Sequence, residues 1–243
     1  MKTIFHEAES RGHANHGWLD SFHTFSFANY MNEERINFGV LRVLNDDTVQ
    51  PGMGFGTHPH RDMEIISIPL EGDLEHKDST GTVGVIKKGE IQVMSAGTGV
   101  MHSEYNHNKD KAVKFLQIWL FPRALNLEPR GEQMSIVEHS VKNDFQQIVS
   151  PDKNDKGLWI NQDAWLSLAD FEKGFSKEYK IRKDGNGVYV FVIKGATKIG
   201  DHQLNQRDGL GIWNTDSFSV EATEDSEILL MDIPMELPSF LRN

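Results

Sequence analysis

The chain has 243 residues, 38% hydrophobic and 25% charged, with 21 glycines, no cysteine and a formal net charge of −11. That length suits one large domain or two small ones, and nothing in the composition resembles a disordered, collagenous or coiled-coil chain. The negative charge repels phosphate backbones, the absence of cysteine excludes disulfides and thiolate metal sites, and no apolar run approaches the roughly 20 residues of a membrane span. Direct nucleic-acid binding and membrane insertion are therefore not expected. The amino terminus, Met1 to Glu7, turns polar too early for a secretory signal, so the expected compartment is cytoplasmic.

Along the first half, short apolar runs rich in Val, Ile and Phe alternate with glycine-bearing turns: Phe38–Leu44, Glu64–Leu70, Thr82–Ile86, Ile91–Met94 and Lys114–Phe121. This pattern predicts an all-β fold of many short strands. Lys114–Phe121 alternates poorly and is mostly apolar, as a strand buried on both faces would be. The lysine clusters Lys87–Lys88 and Lys109–Lys111 read as solvated loops. Arg123–Gly131 reads as a connection leaving the first sheet system, and Pro151–Gly157 as a polar turn. Trp165, Leu168 and Phe171, at spacings of three, predict a helical turn within Asn161–Phe171.

The last third returns to strands at Val188–Ile193, Leu210–Trp213, Phe218–Ala222 and Glu227–Ile233. Leu70-Glu71-Gly72 matches Ile193-Lys194-Gly195, Lys88-Gly89-Glu90-Ile91 matches Asp208-Gly209-Leu210-Gly211, and Phe115–Pro122 matches Leu229–Pro234. The repeat predicts two similar β-barrels in tandem, at 1–135 and 136–243.

The chemistry concentrates in two places. In Gly52-Met53-Gly54-Phe55-Gly56-Thr57-His58-Pro59-His60, the two histidines stand two apart on an extended strand and so share a face. Glu64, four residues on, has the same parity and is either a further ligand or a structural carboxylate. His102-Ser103-Glu104 is a second same-face pair. Three imidazoles and a carboxylate suit a divalent transition metal and offer no soft sulfur ligand that would narrow the choice. The other histidines, His6, His13, His16, His23, His76, His107, His139 and His202, have no comparable pairing and read as surface or core positions, with His23 a potential support for the site.

These segments resemble the two cupin motifs: Gly52, His58, His60, Glu64 and Gly72 for the first, and Gly89, Ser95, Gly97, Gly99, His102 and Asn106 for the second. An extra residue between Glu64 and Gly72, and Ser95 in place of a proline, are departures similar to the pirin branch. Gly12–Phe27, Thr57–Glu64 and Ala96–Glu104 resemble pirins closely as well. The resemblance covers residues 3–130 closely and the remainder loosely. It implies a bicupin, two jelly-roll-like barrels with few short helices. It also implies one divalent metal on His58, His60, His102 and Glu104, iron first and otherwise zinc, cobalt, nickel, manganese or copper, with Glu64 near but not ligating.

For function, the resemblance implies a dioxygenase that cleaves a flavonol such as quercetin with O2, with Glu104 as the catalytic base. The alternative it carries is a non-enzymatic metal- or redox-sensing pirin that binds a protein partner as a transcription cofactor. An ungapped count from the repeat puts Ile181, Lys183, Ala222 and Glu224 at the positions of His58, His60, His102 and Glu104. The second barrel is therefore expected to hold no metal.

Overall fold

The computed structural model describes residues 1–137 and 140–242. Its layers follow from which faces of the strands are apolar. One seven-stranded sheet runs in the order Arg130–Ser135, Glu90–Ser95, Glu64–Glu71, Val113–Leu120, Leu41–Val49, Leu19–His23, Gly12–Asn15. Facing it is a four-stranded sheet, Gly54–His60, Val100–Asn106, Asp73–Asp78, Val83–Lys87. The second half repeats the plan, with a seven-stranded sheet (Lys2–His6, Gly209–Trp213, Asn186–Lys194, Ser226–Pro234, Trp165–Phe171, Phe145–Ser150, Leu158–Trp159) and a four-stranded one (Ser176–Lys180, Ser217–Ala222, Thr197–Ile199, His202–Leu204). Among the described residues these ladders remain paired sheets, so each jelly-roll-like cupin unit is a sandwich and not a closed barrel.

The two seven-stranded sheets lie back to back. Leu116, Ile118 and Leu120 from the first half pack with Leu229, Met231 and Ile233 from the second in one continuous core. The opposite parity in the first half faces inward as Phe115, Gln117 and Trp119, and in the second as Ile228 and Leu230. The strand expected to be buried on both faces is so. Period-two alternation thus sends one face of each central strand to the interface and the other into its own sandwich.

One edge strand crosses between the halves. Lys2–His6 pairs with Gly209–Trp213 in the second half's sheet, Ile4 opposite Gly211, while Arg130–Ser135 pairs with Glu90–Ser95 in the first, Arg130 opposite Ser95. Each of these strands covers an edge of Gly209–Trp213 or Glu90–Ser95 that would otherwise offer unpaired backbone groups. Arg123–Gly131 therefore leads into a strand of the first sheet.

Trp165–Phe171 is a strand, contrary to the helical turn read from its spacing. It lies between Phe145–Ser150 and Ser226–Pro234, with Leu166 in the interface core and Ala169 and Phe171 in the second sandwich. Burial on both faces made apolar residues fall at intervals of three without a helix.

Candidate metal centre

The site is assembled by register in the four-stranded sheet of the first half. His58 lies opposite His102, and His60 opposite Val100. On the far side of the same strand, Asp78 lies opposite His102 and His76 opposite Glu104. A bulge sits between these pairs, because Glu104 lies opposite Phe55, three residues before His58. The extra residue restores parity, so Phe55 and His58 both face inward; bulges re-aim side chains in this way next to functional sites. Gly54 permits the close approach, since a Cβ there would collide with the Glu104 carbonyl oxygen and the Tyr105 backbone.

Ligand atoms of His58, His60 and His102 lie within 4.8 Å of one another, as do those of His76, His102 and Glu104. His58 Nδ1–H donates to the Gly56 carbonyl at 2.8 Å, which leaves a lone pair on Nε2. That Nε2 is 2.9 Å from His102 Nε2. Two nitrogens held about 2.1 Å from one ion at a right angle would be about 3.0 Å apart, close to this spacing. The nitrogen spacing and the imidazole–carboxylate donor set therefore fit a divalent transition metal. Burial first, then repulsion from His102 and His58, lowers the His60 pKa to about 4. Burial first, then His58, lowers His102 to about 3. Both are neutral at neutral pH, as metal ligation requires.

Glu104, 3% exposed, reaches across to the facing sheet. Gln117 Nε2 donates to its two oxygens at 3.1 and 2.9 Å, and Ser67 Oγ donates to Oε1 at 3.1 Å. Gln117 and Ser67 belong to a polar row set by register: His23 opposite Asn45, Asn45 opposite Gln117, Gln117 opposite Ser67, Ser67 opposite Gln92. Beside this row opens a cavity of about 350 Å³, lined by Trp18, Leu19, Phe27, Phe55 and Trp119 together with His58, His60 and Glu104. That is within the range of small-molecule pockets.

For Glu64 the residues alone leave a ligand and a structural carboxylate open, and the resemblance implies that it does not ligate. Glu64 does not share the face of His60. Asp62, at φ 48°, turns the chain between two strands of different sheets, and parity carries no meaning across a turn. The Glu64 carboxylate instead faces the second half, accepting from Ser95 Oγ at 2.8 Å and from the Asn161 backbone N–H at 3.1 Å. Burial raises its pKa.

His76 was missed: it is 1% exposed, its ring lies 5.3 Å from that of His102, and its Nε2 is 3.0 Å from Asp78 Oδ2. Its signal was there, since His76-Lys77-Asp78 is a third same-face pair of the kind found at His58 and His102. His16 and His23 line the cavity. His6, His13, His107 and His202 bond to Tyr189, Asp20, Glu75 and Thr3. His139 lies outside the described residues.

The second sandwich places different residues where the ungapped count put ligand positions. Asn106 pairs with Leu74, two residues after Gly72, and Ala222 with Thr197, two after Gly195. Ala222 thus matches Asn106, so Phe218 matches His102 and Val220 matches Glu104, with Tyr179 opposite Phe218 as His58 is opposite His102. All three are buried in an apolar core. Lys183 is at the surface, paired with Asp163, and Glu224 is exposed, so neither faces this interior. The count slipped because bulges and turns differ in length between the halves.

Two back-to-back β-sandwiches, one with imidazoles converging at a cavity, define a bicupin with a candidate metal centre. The pirin family model matches residues 4–120, and the model of the quercetinase C-terminal cupin domain matches 147–233. The chain belongs to the pirin family. It is 44% identical over 228 residues to the quercetin 2,3-dioxygenase of Escherichia coli strain K12, spanning 94% of this chain and 97% of that protein. It is 36% identical over 222 residues to a pirin-like protein of Caulobacter vibrioides, 91% and 95% of the two chains. The crystal structure of the bacterial pirin YhhW of Escherichia coli in complex with nickel(II) superposes with a TM-score of 0.91 at 42% identity, over 96% of this chain and 99% of that one. Among the described residues, no helix is long and apolar enough to cross a membrane.

Proposed function

We propose that this chain is a metal-dependent dioxygenase that opens the central ring of a flavonol such as quercetin with O2. The observation that carries the reading is the convergence of His58, His60 and His102, beside Glu104, at an aromatic-walled cavity. The quercetin dioxygenase activity named for the 44% identical relative supports it. His58, His60, His102 and Glu104 would hold one divalent transition metal, with iron the first choice and nickel close behind because the YhhW pirin was crystallised with it. When bound, the metal supplies Lewis-acid stabilisation of a deprotonated substrate hydroxyl.

The chain's own residues do the rest. Glu104 takes the proton of the flavonol hydroxyl, its carboxylate aimed by Gln117 and Ser67. Trp119, whose ring lies 4.8 Å from that of His60, and Phe55 flank the flat ring system and keep water from it. The electron-rich flavonolate then reacts with O2, releasing carbon monoxide and a depside. The second sandwich, its equivalent positions filled by Tyr179, Phe218 and Val220, buries apolar surface against the first and carries no metal.

The test is metal analysis of protein purified without added metal, followed by O2 consumption with quercetin for each candidate metal. One ion per chain and turnover with at least one metal are expected. Two ions per chain, with the second inside residues 150–243, would overturn the assignment of the second sandwich. No turnover with any metal would favour the non-enzymatic, protein-binding role.

A further inference from the structure

Beside the row that grips Glu104, the cavity is lined by a group of buried polar side chains that the proton transfer above does not use. Asp47, Asn45, Ser21 and His23 all line it, and each is no more than 4% exposed. Their hydrogen bonds have one direction. The Ser21 hydroxyl donates its only proton to Asp47 Oδ1. It must therefore accept from His23 Nε2–H, 2.8 Å away. Ser21 and His23 are both inward-facing residues of Leu19–His23, and Ser21 lies opposite Asp47 across the ladder.

The Asp47 carboxylate is thus held from behind, while Oδ2 receives no hydrogen bond among the described residues. Unmet demand recurs beside it, since His23 Nδ1 and Asn45 Oδ1 are also buried without partners. Three acceptor atoms without donors, on adjacent strands lining one cavity, call for a ligand that brings hydroxyl protons. Trp18, Phe27, Phe55 and Trp119 line the same cavity and suit a flat aromatic body. Asp47 is two residues beyond Asn45, itself opposite Gln117, so it stands about 7 Å along the strand from the row that grips Glu104.

We infer that Asp47, held by Ser21 and His23, is the specificity anchor of this cavity, accepting a hydrogen bond from a phenolic hydroxyl of the substrate other than the one that reacts. The inference rests on the flavonol reading and sharpens it: the favoured substrate is a flavonol with hydroxyls beyond the one that reacts. Burial, which pushes Asp47 up to about 7, is consistent with a carboxylate short of donors until substrate arrives.

The test compares quercetin with 3-hydroxyflavone, which shares the reacting edge and lacks the remaining hydroxyls. Binding to the metal-free full chain is followed by quenching of tryptophan fluorescence, Trp18 and Trp119 being in the cavity wall. The wild type should bind quercetin at least about tenfold more tightly, the worth of a hydrogen bond to a charged group. In Asp47→Asn that ratio of Kd values should fall toward one. In Ser21→Ala, which leaves the carboxylate but removes its support, it should fall part of the way. A melting temperature close to wild type identifies folded variants, and Ser21→Ala serves if Asp47→Asn does not fold. An unchanged ratio in a folded variant overturns the anchor, even where the enzyme turns quercetin over. A collapsed ratio alongside absent turnover with every metal leaves the anchor standing and removes the dioxygenase reading instead.

Discussion

At the scale of single residues, the centre depends on how side chains from two facing sheets hold one carboxylate. Glu104 is gripped by Gln117 and Ser67 from the seven-stranded sheet while its own strand carries His102. A glutamine at this position keeps the size and one acceptor oxygen but has no basic carboxylate. Glu104→Gln should therefore lower kcat for flavonol turnover by about 100-fold or more, measured at matched metal content. Unchanged turnover in a metal-loaded variant would remove Glu104 from the proton transfer. The same-face rule located His58 with His60, and His102 with Glu104, because each pair lies within one strand. It does not extend to Glu64, where a turn intervenes, and it holds for His76 with Asp78.

At the scale of elements, the decisive feature is the bulged ladder between Gly54–His60 and Val100–Asn106. Phe55 and His58 face the same interior only because the bulge adds a residue, and the strands meet closely only because residue 54 has no side chain. Gly54→Ala should cost about 1–3 kcal/mol in a urea titration, because a backbone collision has no side chain that can move aside. It should also weaken metal binding by separating His58 from His102. Gly56→Ala is the control: a Cβ there meets nothing nearer than the Tyr105 hydroxyl at 3.8 Å, and both quantities should stay near wild type. Equal losses in the two variants would show that the approach at Gly54 is not special. The glycines were visible in Gly52–His60 from the start, but a bulge is defined by what lies opposite, and a single strand does not show that.

At the scale of the molecule, the edge strand that crosses to the far sheet ties the two sandwiches together. Lys2–His6 carries His6 into the shared core, where its Nδ1 bonds to the Tyr189 hydroxyl at 2.8 Å. Tyr189 is fully buried, with the rings of Phe25 and Phe38 each 5.5 Å from its own. Burial first, then the charge of Arg35, lowers the His6 pKa to about 4 from 6.5. Above pH 6.5 the imidazole is neutral in both folded and unfolded chains. As pH falls toward 4 the unfolded chain takes up a proton that the folded one refuses, and stability is lost. Metal-free wild type should lose up to about 3 kcal/mol more than His6→Asn between pH 7 and pH 4, read from urea midpoints. Parallel pH profiles for the two proteins would show that His6 titrates without penalty.

The sequence by itself determined the all-β class, most strand positions, the two-fold plan and the histidine pairs. Those follow from local alternation, from glycine turns and from spacing within single strands, which are properties of short segments. Only the tertiary structure decided which pairs meet, because convergence depends on register between strands far apart in sequence. His76 entered the site opposite Glu104, Glu64 turned to Asn161, and Tyr179 and Phe218 took the places that counting had assigned to Ile181 and Ala222. Trp165–Phe171 became a strand for the same reason, its conformation set by two neighbouring strands and not by its own spacing. The crossing of Lys2–His6 to the far sheet was equally beyond local reading, since an edge strand carries no mark of which sheet it will complete.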